Sequence, residues 1–176
     1  MKKKKTNFES RFWSGSKKYS VPGLLETFFQ FNDLAIVKEV LGSMMHCSTR
    51  RKARIRTYPA EIFHLQQSLR SLLLAGRLIA AKAGKWTVPV SAEAVSSMQL
   101  SSLSEEEYQD PLRVFRKAFK TCSFEEFDEF LASTVYFSLG NISNDREKRR
   151  VSPYIHLIKM LDAAYLITER KMQKQK

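Results

Sequence analysis

The densest chemistry in this chain is the run Arg50-Arg51-Lys52-Ala53-Arg54-Ile55-Arg56. Cations at this density neutralise phosphates and release counterions, so binding to a polyanion depends steeply on salt. Segment 47–57 holds these five cations and no acid. A second set, Arg146, Lys148, Arg149 and Arg150, lies in segment 141–151, where Asp145 and Glu147 reduce the surplus to +2. Both sets are candidate nucleic-acid contacts. A solvated loop with no partner has the same composition.

The arm over 1–20 interleaves Lys2 to Lys5, Arg11, Lys17 and Lys18 with Phe8, Phe12, Trp13 and Tyr19. Aromatic rings beside cations stack on bases. They also dock on a core while the lysines stay in water, and this second arrangement is the one expected here.

His64 and His156 follow Pro59 and Pro153, and Arg150 lies six residues before His156. In this stretch the chain resembles HEPN-type ribonucleases, which carry an arginine, a polar residue and a histidine on an all-helical bundle. The resemblance implies His156 as acid–base and Arg150 as the holder of a scissile phosphate. Val151 stands where that family has a polar residue, and Pro153 interrupts the motif. A histidine that satisfies backbone groups at a helix start is the simpler reading. No catalytic residue is assigned.

The carboxylates form no acid–base pair. Glu105-Glu106-Glu107 reads as a solvated helix start, and Glu125, Glu126, Asp128 and Glu129 as the outer face of a phenylalanine-rich helix. No Gly-rich phosphate loop or nucleophile elbow appears. The two cysteines, Cys47 and Cys122, stand far apart outside any CxxC spacing, and read as free, partly buried thiols. No cofactor or metal is expected.

Helices must position these groups. Leu65, Leu69, Leu72, Leu73, Gly76 and Ile79 recur at steps of three and four, as do Phe124, Phe127, Phe130, Leu131 and Val135. Asp33 and Ser123 suit N-caps, the latter with Glu126 in a capping box. Pro59, Pro111 and Pro153 suit first helical positions, with Asp110 and Ser152 as caps before two of them. Gly84 and Gly140 suit C-terminal stops. These signals predict helices over about 22–31, 33–46, 58–83, 111–121, 123–139 and 152–172. The last is apolar nearly all round, so it belongs at the centre of a core or in a subunit contact.

The helices also repeat. Residues 22–46 align without a gap on 112–136, matching Leu25 with Phe115, Phe29 with Phe119, Val37 with Phe127 and Leu41 with Leu131. Ala75-Gly76-Arg77-Leu78-Ile79 matches Ala163-Ala164-Tyr165-Leu166-Ile167. The expected fold is all-α: two related three-helix units, 21–84 and 111–172, packed as one helical bundle. A linker over 85–110, extended at Lys85 to Val90, joins them. A basic flexible arm (1–20) and a basic tail (173–176) flank them.

The 176 residues suffice for one sizeable core, and a 43% apolar content suits a globular protein. No apolar run is long enough for a membrane span, and no hydrophobic segment follows the first lysines. With two cysteines, a reducing cytoplasm is the expected setting. The formal charge is +12, and it lies outside the segments 21–46, 58–82, 111–140 and 152–167, which sum to zero. Charge concentrated in connecting segments suits a polyanion partner. The expectation is a non-enzymatic nucleic-acid-binding or regulatory accessory protein. The alternatives are a protein-interaction or assembly module, including a homo-oligomer, and more remotely a HEPN-like ribonuclease.

Overall fold

The structure is a computed structural model, and it describes residues 14–15, 20–49, 55–89, 100–140 and 148–174. For Ala83, Lys148, Arg149, Arg150, Gln173 and Lys174 only the backbone is described. The described chain is mostly helical. Seven helices run Val21–Phe31 (α1), Leu34–Thr49 (α2), Pro59–Ala81 (α3), Glu105–Gln109 (α4), Leu112–Thr121 (α5), Phe124–Leu139 (α6) and Lys148–Glu169 (α7).

Side-chain caps fix four of the starts. The hydroxyls of Ser20, Ser104 and Ser123 accept from the N–H groups of Gly23, Glu107 and Glu126, and Asp33 Oδ1 accepts from that of Ile36 at 3.0 Å. Glu107 and Glu126 reach back to the N–H of Ser104 and Ser123, completing two capping boxes. Each cap satisfies donors that the first helical turn leaves unpaired. Pro59 opens α3 and Gly140 closes α6, as their types predict.

Three boundaries differ from the sequence expectation. Asp110 ends α4 rather than capping α5: its N–H donates to the Glu106 carbonyl and its carboxylate takes Arg116. Helix α3 stops at Ala81, where the Lys82 N–H donates to Leu78 and Ile79, so Gly84 lies in a following 3-10 turn. Ser152 and Pro153 do not open α7, which begins at Lys148 and carries Pro153 in its second turn. Proline there forfeits one backbone bond. Burial of Pro153 and the approach of Ser152 Oγ to Cys122 Sγ, 3.6 Å, seat that turn beside the end of α5.

The end of α7 bears strain. The N–H of Met172 donates to Ile167 and that of Lys171 to Thr168, a Schellman pair of bonds. Lys171 fills the left-handed position with φ 53°, where glycine is preferred. The turn lays Gln173–Lys174 (β2) antiparallel on Trp86–Thr87 (β1), pairing Trp86 with Lys174. The tail thus makes backbone contact with the middle of the chain, a pairing its sequence does not announce.

The core is single. Helix α7 lies at its centre, against α1, α2, α5 and α6, and Leu157, Met160, Leu161, Ala163, Ala164, Leu166 and Ile167 are buried there. Helix α3 packs on α1, α5 and α6, and α2 packs chiefly on α6. Phe28, Phe115 and Phe127 are fully buried, each gaining about 1.5–3 kcal/mol from leaving water.

Candidate functional site

Of the predicted contacts, Arg50, Arg51, Lys52, Arg54 and Arg146 lie outside the described residues. Arg56 is described and exposed. It lines a depression of about 570 Å³ with Glu39, Val40, Ser43, His46 and Cys47. Lys148, Arg149 and Arg150 form the first turn of α7. They therefore begin a helix rather than end a loop, and the cations are held by a regular backbone. The Cys47 thiol is buried, and burial raises its pKa.

Arg150 and His156 share α7. Six residues at ~100° each set them ~120° apart around the axis and ~9 Å apart along it. His156 is half-buried. Burial lowers its pKa, Lys159 lowers it further, and Glu107 partly opposes both. Its neighbours are thus an ion cluster on α4 and α7. His64 is exposed at the start of α3.

Two buried carboxylates were missed in the reading of the sequence. Glu107, expected in solvent, is 3% exposed. Its Oε2 takes Lys159 Nζ at 2.6 Å and the Ser104 N–H at 3.0 Å, and its Oε1 takes Lys117 Nζ at 3.1 Å. Burial alone would raise its pKa, but Lys159, the Ser104 N–H and Lys117 together outweigh burial and hold it at about 2. Asp162, fully buried on α7, takes Lys38 Nζ at 2.8 and 3.1 Å and Ser102 Oγ at 2.6 Å. A lone acid in an apolar helix signals Asp162; the capping box at Ser104 signals Glu107. Both tie elements together. Glu107 joins α4 to α5 and α7, and Asp162 joins α7 to α2 and to the segment entering α4.

Arg170 at the end of α7 is 6% exposed. It stacks 4.4 Å over the Tyr108 ring, and its Nη1 donates to the Tyr108 carbonyl at 2.7 Å. Among the described residues, no three His, Cys, Asp or Glu side chains gather as a metal site would require, and no helix is long and apolar enough to cross a membrane.

No protein-family model, curated protein sequence or solved structure matches this chain.

Proposed function

We propose that the chain is a non-enzymatic helical protein that binds nucleic acid. The main contacts are Arg50, Arg51, Lys52, Arg54 and Arg56, and Arg146, Lys148, Arg149 and Arg150 are a lesser matching set. The observation that carries this reading is the segregation of charge. Cations on the bundle are largely engaged: Lys38 with Asp162, Arg70 with Asp128, Arg113 with Glu106, Arg116 with Asp110, and Lys117 and Lys159 with Glu107. The surplus lies in segments 1–20 (+6), 47–57 (+5), 168–176 (+3) and 141–151 (+2), the last of which includes the first turn of α7, and cations in excess of nearby acids are the groups that meet phosphates.

The proposal includes the internal repeat. Exchanging α1, α2 and α3 for α5, α6 and α7 carries α2–α6 onto itself. It carries α1–α3 onto α5–α7, α3–α5 onto α1–α7 and α3–α6 onto α2–α7. This supports two related three-helix units about a pseudo-twofold axis. The basic run before α3 and the basic turn opening α7 are then equivalent features.

The test is binding to a random duplex and a random single strand across a salt series. For a duplex, neutralising all five cations of 50–56 to glutamine lowers the slope of log K against log salt by ~4–5, since each phosphate contact contributes ~0.9. No binding at low salt, or an unchanged slope, overturns the proposal.

A further inference from the structure

In the exchange just described, α6 packs on α7, but the corresponding pair α2 and α3 does not close in the same way. A groove runs along that seam. Next to the Arg56 depression, and sharing Val40 and Thr57 with it, is a second hollow of about 550 Å³. Its floor is Val37, Val40 and Leu65, and its rim includes Ile36, 60% exposed, and Phe31, 56% exposed. Asp33 and Glu61 also line it, exposed Glu39 lies beside it, and among the described residues no lysine or arginine lines it. An apolar trough with acids on its edge, on a chain of formal charge +12, is matched to a basic and aromatic segment.

We propose that this groove is the docking site of the chain's own N-terminal arm, residues 1–13. Phe8, Phe12 and Trp13 supply apolar anchors, and Lys2 to Lys5 with Arg11 supply the opposite charge to Asp33, Glu39 and Glu61. Reach permits it. Phe31 lies at the far end of α1, ~15 Å from Val21. The seven residues from Trp13 to Ser20 span up to ~25 Å when extended. Docking there requires the arm to run back beside α1 to the seam, which this length allows. Burial of three aromatic rings provides the affinity, and the charges set direction and make docking sensitive to salt. This inference does not depend on nucleic-acid binding.

The experiment uses the full chain with p-benzoylphenylalanine at position 12, irradiated without nucleic acid. The expected result is a cross-link within one molecule to residues 31–40 or 57–65, located by mass spectrometry. Its yield falls at least fivefold in Glu39→Lys/Glu61→Lys, both exposed positions, and separately in Ile36→Ser, with unchanged thermal melts. Cross-links to other parts of the chain, cross-links between two copies, or a yield indifferent to these substitutions overturns the proposal.

Discussion

Gly76 on α3 lies directly against the ring of Phe115 on α5: a Cβ at Gly76 would stand 2.8 Å from Cδ1 and 3.0 Å from Cε1. The Phe119 ring bounds the same spot at 3.3 Å. Phe115 is fully buried, so its ring can yield only by displacing core neighbours. Replacing a mid-helix glycine with alanine gains ~1 kcal/mol of helix propensity, but overpacking costs ~1–3 kcal/mol. Gly76→Ala therefore destabilises by up to about 2 kcal/mol in urea unfolding. The repeat adds a sharper expectation. Under the proposed repeat Gly76 and Phe115 correspond to Ala164 and Leu25, a larger residue in place of the glycine and a smaller one in place of the phenylalanine. Gly76→Ala/Phe115→Leu is then more stable than the sum of the single changes. Strict additivity would count against the repeat.

Asp162 and Lys38 form a second measurable pair. Asp162 is fully buried, while the Lys38 side chain is 22% exposed. Removing the lysine strands a charge; removing the acid leaves a cation that still reaches water. Lys38→Met thus costs more than Asp162→Asn, about 3 kcal/mol against about 1–2. Thermal unfolding of both variants and the double variant checks the order.

Glu107 and His156 make stability depend on pH. Each has a folded pKa below its ordinary value, so the unfolded chain binds more protons and acid favours unfolding. The Glu107 contribution is complete above about 4.5 and is lost as pH falls toward about 2. At 3% exposure it is worth about 2–3 kcal/mol, reduced because Lys117 is half-exposed. The His156 contribution is present above 6.5 and is lost as pH falls below it. Denaturation midpoints between pH 8 and 3 should fall in two stages. Glu107→Gln removes the acidic stage and His156→Gln the near-neutral one.

Lys171 holds a conformation that glycine adopts freely, with φ 53°. Lys171→Gly should stabilise the fold by about 0.5–1 kcal/mol. A melting temperature equal to or below that of the parent chain would contradict the strained-cap account.

Much of this architecture is legible in residue types alone. Asp33, Ser123, Pro59 and Gly140 mark boundaries because capping chemistry is local: the deciding atoms lie within four residues. Ser152-Pro153 and Asp110-Pro111 fail as start signals for the complementary reason. Their roles are set by groups beyond that four-residue reach, Cys122 thirty residues from Ser152 and Arg116 six from Asp110. The buried state of Glu107 is hidden in the same way. Nothing beside it in sequence indicates that Lys117 and Lys159 converge on it. The candidate site divides along this line too. The cation run is plain in the composition, whereas the acidic seam between α2 and α3 emerges only when two non-packing helices are set side by side.

The centre of the core is the last helix in chain order, and that carries a consequence for biosynthesis. A ribosome adds roughly 5–20 residues each second, so α1 to α6 emerge before α7 can fill the space between them. Leu24, Leu41 and Phe127, all fully buried at the end, have no complete interior to enter until then. A chain ended before residue 148 lacks the helix on which α1, α2, α5 and α6 all pack, so it leaves in water apolar surface that the full chain buries.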